Sequence, residues 1–299
     1  KVSMKASVGE KIFDVFNVVF LAIVSLVTLY PLIYVISNSI SDISAVLAKE
    51  VVFFPKGITF KAYSIVLKQG DLLRAYYNTL WYTIVGTALS VLLTTSAAYP
   101  LSRKSYSIRS QIMVYLAITM YFSGGLVPEY ILINNLGLYN TRWVMVILGA
   151  VSVSKLVVAR VFFQSNIPEE LSEAARIDGA NDIIIYFKIV LPLSKAILAV
   201  LTLQYAVDHW NEFFKALVYL SDSKLQPLAL YLRRILIMGS GIDFSQESGI
   251  GYVDEYQVLA MKQQHKYASI VITMLPIMCF YPFLQKYFVK GVMVGALKE

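Results

Sequence analysis

"NIPEELSEAARIDGANDIIIYFKIVLPLS", residues 166–194, is charged and amphipathic although the sequence on either side is strongly apolar. Pro168 suits a first helical position, and Glu169 and Glu170 meet the positive end of the helix dipole, so a short helix is expected from there to about Ile177. Ala174 and Ala175 permit close backbone approach by another surface. Gly179 ends the helix, since glycine readily takes the left-handed conformation that closes helices. Asp178 or Asn181 can cap a second short helix, "DIIIYFKIV" (182–190). Leu191 precedes Pro192 and is expected to be extended. The product is an exposed elbow with two readings: an amphipathic segment lying on a membrane interface, or a plug for a groove on a partner protein.

The surrounding composition is that of a membrane protein. Of the 299 residues 58% are hydrophobic and 15% charged, with a mean hydropathy of +0.64, against about 25% charged residues in an ordinary soluble domain. The net charge of +7 is dispersed among apolar runs, with no basic stripe for nucleic acid. Cys279, the single cysteine, excludes an intrachain disulfide framework or a multi-cysteine metal site, and its apolar run suggests a small buried hydrophobe. The first apolar run, Phe13 to Ile36, lacks an A-x-A-like cleavage site and is too long for a signal-peptide core, so it is expected to stay as an anchor.

Spanning a hydrocarbon core takes about 20 mostly apolar residues, which predicts six spans at about 13–38, 76–99, 111–133, 143–164, 194–220 and 268–288. Pro31, Pro276 and Pro282 lie inside such spans, where membrane helices tolerate them. Lys and Arg in the short connections and termini, such as Lys5, Lys11, Arg103, Lys104, Arg109, Arg176, Lys188 and Lys290, place both termini and the 165–193 loop on the inner side. The longer loops near 39–75 and 221–267 then face outward. In the second of these, "QPLALYLRRILI" (226–237) reads as a short helix and "GSGIDFSQESGIGY" (239–252) as flexible loop. The chain, 1–299, reads as a single all-α integral membrane domain.

"EAARIDGA" (173–180), followed nine residues after Gly179 by "IVLP" (189–192), resembles the EAA loop, E-A-A-x-x-x-G-x9-I-x-L-P, of permease subunits in binding-protein-dependent ABC importers. "TLYPLIYVISNSISD" (28–42), "AYPLSRKSYSIRSQ" (98–111), "WNEFFKALVYL" (210–220) and "LQKYFVKGVMVGALKE" (284–299) resemble the carbohydrate-uptake branch, similar to the second maltose permease subunit and to oligosaccharide and alginate-type permeases. The resemblance covers nearly the whole chain.

It implies a type I importer permease fold in a bacterial cytoplasmic membrane, with six spans and an inner coupling loop. It also implies a second homologous permease subunit, two cytoplasmic ATPase subunits and an external binding protein, periplasmic or lipid-anchored, that delivers a sugar. There is no G-x-x-x-x-G-K-[ST] loop to cradle a nucleotide. ATP and Mg are therefore expected on the partner ATPase subunits, with no cofactor bound by this chain and no enzymatic activity of its own. The implied coupling residues are Glu173, Ala174, Ala175, Asp178, Gly179, Ile189, Leu191 and Pro192. Tyr252, Tyr256 and Gln257 are candidate contacts for binding protein or sugar, because the equivalent loop of the related maltose permease reaches toward its binding protein; a solvated loop is the plainer reading.

For the translocation pathway, Asp208, His209 and Glu212 fall in the expected outer half of the fifth span, and intramembrane ionisable groups usually face a bundle interior or wet cavity. Subunit contacts and interface anchoring by Trp210 explain them equally well. Lys155, in the expected inner half of the fourth span, can attract an acidic substrate, snorkel, or form a structural pair. Among rival functions, a membrane hydrolase lacks H-E-x-x-H and G-x-S-x-G. An ion-coupled secondary transporter would show an inverted repeat and coupling acids near the midplane.

Overall fold

The computed structural model describes residues 8–68, 70–238, 259, 261–276 and 278–279, and all regular structure among them is helical. The chain divides into two units, Lys1–Gly70 with Leu232–Leu275 and Asp71–Tyr231 with Pro276–Glu299.

In the first unit α1 (Val8–Ser39) is an apolar helix with Pro31 inside it, and Gly9–Ser39 has a mean hydropathy of 2.5. Its few hydroxyls are internally satisfied: Ser25 Oγ donates to the Leu21 carbonyl and Thr28 Oγ1 to that of Val24, as a hydroxyl in a lipid-facing run must. Side chains such as Ile12, Phe16 and Val27 are exposed. After it α2 (Ile43–Leu47) is capped by Asp42, whose carboxyl is held below its ordinary value by the Ser44 hydroxyl, and α3 (Lys61–Lys68) follows. Gly57 is required twice over: its φ is +63°, and a Cβ there would stand 2.9 Å from that of Asp42. Residues 261–276 are helical, and Gln264 Nε2 donates to the Ser41 carbonyl at 2.6 Å.

The second unit is organised along α4 (Gly70–Ser102), which has 33 residues. Next come α5 (Arg109–Tyr121) and α6 (Leu126–Asn135), bent by 113° where Gly125 takes φ +83°. Then α7 (Arg142–Ile147) and α8 (Val153–Asn166) flank a break at Leu148–Ser152. The elbow is α9 (Glu169–Ile177) and α10 (Asp182–Ile185), continued by a π-helical turn over Tyr186–Val190 into α11 (Leu191–Leu193). It leads into α12 (Lys195–Asn211) at an 84° bend, and α13 (Phe214–Tyr219) follows; α14 (Leu228–Met238) begins in this unit and belongs to the first from Leu232 onward.

Two cores form at different levels of α4. One gathers Ala98, Tyr99 and Leu101 with Phe163 of α8, Ala175 of α9, Ile185, Tyr186 and Val190, and Ile197 and Leu201 of α12. The other gathers Tyr82 with Ile133, Val144, Met145, Ala216, Tyr219 and Leu230. Between those levels α4 turns polar, with Thr87, Ser90 and Thr94 buried.

The structure departs from several expectations in local detail. Only α1 and α4 are long and apolar enough to cross a membrane as single helices, and the bent pairs α5–α6 and Asp182–Leu193 with α12 raise that to at most four among the described residues. The expected span 143–164 is interrupted because Gly149 takes φ +77° and the freed Leu148 carbonyl accepts from Lys215 Nζ at 3.0 Å. The expected span 194–220 is interrupted at Glu212 and Phe213, between α12 and α13. Leu191 is helical, with φ −61° and ψ −46°, rather than extended. In an α-helix the Pro192 ring would press on the carbonyl four residues back, and the wider π turn just before it removes that clash. Cys279 is exposed, not buried. The last expected span beyond 279 and the 239–252 loop lie outside the described residues.

Candidate functional site

The elbow is built as its local chemistry dictates. Pro168 is the N-cap of α9, one residue before the helix. Gly179, with φ +83°, makes the turn, and Asn181 rather than Asp178 caps α10, its side chain accepting from the Ile184 amide at 2.9 Å. Asp178 is the C-cap residue of α9. Arg176 and Asp182 clasp the turn at 2.9 Å, and that bond holds the Arg176 guanidinium above its ordinary pKa.

The two alanines face opposite ways. Ala175 is buried in the core at the end of α4, whereas Glu173 and Ala174 are exposed. Ile189 and Leu191 are half-buried against the same core, and Pro192 is exposed. A second row of large apolar side chains faces away from the chain: Ile177 is 87% exposed, Ile183 69% and Phe187 52%.

The elbow is also fastened to α4, which sequence reasoning missed. Thr95 Oγ1 and the Tyr186 hydroxyl share a 2.8 Å hydrogen bond, and the Tyr99 hydroxyl lies 3.3 Å from Ser172 Oγ. Arg103 Nη1 donates to the Ile167 carbonyl at 2.9 Å, while its guanidinium stacks 4.7 Å from the Tyr99 ring centroid. The Lys104 amide donates to Glu169 Oε1 at 2.9 Å. The sequence signal was periodicity: Thr95, Tyr99 and Arg103 recur at four-residue intervals and so share one face.

A cavity of about 380 Å³ lies at the polar level of α4, lined by Ser152, Tyr205, Asp208, His209, Glu212 and Lys215 among others. Both helix breaks open onto it. Lys155, in the first turn of α8, pairs with Asp208, and its Nζ sits 3.9 Å from the Tyr205 ring centroid. The expected assignment of these two residues to opposite halves of their spans therefore gives way to a direct ion pair. The Tyr205 hydroxyl accepts from the Ser152 amide at 3.0 Å and shares a 2.6 Å bond with Thr94 Oγ1. His209 is buried, 3.4 Å from Ser90 Oγ, and Lys215 pairs with Glu212 at 3.2 Å. Tyr252, Tyr256 and Gln257 lie outside the described residues. Tyr205 and Lys215 were the residues sequence reading missed here; an aromatic or a lysine beside an intramembrane acid was the available signal.

A helical chain with fractured membrane-length helices around a charged cavity, and an amphipathic elbow at one end of its longest buried helix, has the form of a membrane permease. No family model matches the chain. It is 37% identical over 297 residues to Protein LplC of Bacillus subtilis (strain 168), covering 99% of this chain and 98% of that one. It is 36% identical over 291 residues to the polygalacturonan/rhamnogalacturonan transport system permease protein YtcP of the same organism, covering 97% and 99%. Its fold matches a chain in the crystal structure of a bacterial ABC transporter involved in the import of the acidic polysaccharide alginate, with a TM-score of 0.87 and 33% identity over 96% of this chain and 100% of that one.

The chain belongs to the permease subunits of carbohydrate-importing ABC transporters. Such subunits are transport components rather than enzymes. They work with ATPase and solute-binding partners in the bacterial inner membrane. The rival reading as an ion-coupled carrier finds no support in these relatives.

Proposed function

We propose that this chain crosses the membrane six times as one domain, with both termini and the 165–193 elbow cytoplasmic, and conducts an acidic oligosaccharide handed over by an external binding protein. A second permease subunit completes the pathway, and two ATPase subunits, which bind ATP and Mg, drive it through the elbow. The acidic cargo is inferred from the polygalacturonan and alginate systems of two relatives. The loop at 221–267, with Tyr252, Tyr256 and Gln257, is the surface offered to the binding protein. Lys155, Asp208, His209 and Glu212 face the pathway.

The observation that carries the reading is the two-sidedness of the elbow: one face is buried in the core at the end of α4, and the other offers Ile177, Ile183 and Phe187 to a partner. Short capped helices fixed on one side and free on the other suit transmission of a rigid-body movement. Glu173, Ala174, Asp178 and Gly179 line the free side, while Ala175, Ile189, Leu191 and Pro192 join it to α12. In the full importer in proteoliposomes, Glu173→Lys or Gly179→Asp is expected to leave membrane insertion intact while ATP hydrolysis proceeds without uptake. Normal coupled transport by both variants would defeat the reading, and so would an elbow that partitions onto lipid and leaves the ATPase subunits unbound.

A further inference from the structure

The Lys155–Asp208 pair is lopsided. The lysine side chain is 13% exposed and the aspartate side chain 65%. On the protein side Lys155 Nζ is held against the Tyr205 ring at 3.9 Å, and Tyr205 is itself fixed by Thr94 and the Ser152 amide. The cation is thus anchored behind the cavity lining, while its anion stands in the wall of the cavity itself. Among the described residues Asp208 is the only hydrogen-bonded acceptor of Lys155 Nζ. Lys215, the lysine that lines the cavity, is committed twice over, to Glu212 and to the Leu148 carbonyl.

We infer that Lys155 is the receptor for a carboxylate on the passing cargo, and that Asp208 is the resident anion this carboxylate displaces. The inference rests on the proposed import of an acidic oligosaccharide and adds the residue that senses its charge. An unpaired cation at membrane depth is costly, so Asp208 neutralises Lys155 whenever the cavity is empty. An arriving uronate supplies an equivalent carboxylate, Asp208 turns toward the cavity, and Lys155 stays paired throughout. Exchange of one anion for another keeps the site shallow, because each new bond is offset by the one it replaces. A neutral sugar brings no anion and leaves the pair closed.

The test uses the complete importer, with its paired permease, ATPase and binding-protein subunits, in proteoliposomes loaded with ATP, and trigalacturonate as the probe. Uptake is normalised to importer found assembled with its ATPase subunits. Lys155→Gln is expected to lower trigalacturonate uptake about tenfold, the scale of one lost charge-assisted hydrogen bond, and Lys155→Arg to restore most of it. The double variant Lys155→Gln with Asp208→Asn separates a receptor from a structural pair. It removes both charges at nearly constant shape, so it stays defective if Lys155 receives the cargo, whereas recovery of uptake would overturn the proposal. Equal uptake by the Gln and Arg variants would overturn it too. Failure of the cargo reading looks different: the unsubstituted importer then takes up maltotriose but not trigalacturonate, and the receptor role falls with it.

Discussion

At Gly86 the absence of a side chain is used directly. A Cβ placed there would lie 2.7 Å from both Cε1 and Nε2 of His209, and the ring is only 7% exposed, so it has little room to retreat. Gly86→Ala gains about 1 kcal/mol of helix propensity but incurs about 1–3 kcal/mol of overpacking. The expected outcome is a lower unfolding midpoint in detergent, and a raised midpoint would show that the ring moves freely. His209 was legible in the sequence as a pathway candidate, but its contact with Gly86 was not, since the two are far apart in the chain and meet only through packing. Ala174 and Ala175 teach the same lesson at shorter range. Both read as contact residues, and only the direction of the helix decides that one is buried and the other exposed.

At the scale of elements, the elbow's internal structure was largely legible, because caps and turns are local: Gly179 and Asn181 act within a few residues of themselves. The interruptions of the expected fourth and fifth spans were not. "LGAVSVSK" (148–155) carries a glycine and two serines, yet it breaks the helix cleanly because Lys215, 67 residues on, satisfies the Leu148 carbonyl. Hydropathy sums cannot register such a partner. The fastening of the elbow to α4 is likewise tertiary. Arg103 is 8% exposed, and its fork bridges the Ile167 carbonyl and the Tyr99 face, geometry a lysine cannot reproduce. Arg103→Lys is therefore expected to cost about 1.5–3 kcal/mol, the worth of a charged hydrogen bond, and to loosen the elbow so that ATP hydrolysis outpaces uptake. An Arg103→Lys importer with unchanged stability and unchanged ATP consumed per sugar would show that the elbow is held by its apolar core alone.

At the scale of the whole molecule, composition made the membrane class plain, and the EAA spacing pointed to the family that the relatives bear out. Orientation rests on the charges of the short connections and yields a labelling experiment. With Cys279→Ser as background, Ile177→Cys should react with a membrane-impermeant maleimide in inverted vesicles and not in right-side-out ones, and added ATPase subunits should block it. Asn140→Cys should show the opposite sidedness. Labelling of residue 177 from the outer side would invert the topology.

The two cores along α4 have a mechanical meaning. α4 runs unbroken for 33 residues, about 50 Å at 1.5 Å per residue, whereas α7 with α8 and α12 with α13 are each shorter segments joined in series across a break. A continuous helix is stiff along its axis, and a break is a compliant joint. Under the coupling proposed for the elbow, load would travel along α4 with little loss, while α7 and α13 would lag behind α8 and α12. The difference would be taken up as shear at the level of the breaks, where the charged cavity lies, and the expected outcome is a cavity wall that deforms before either core does.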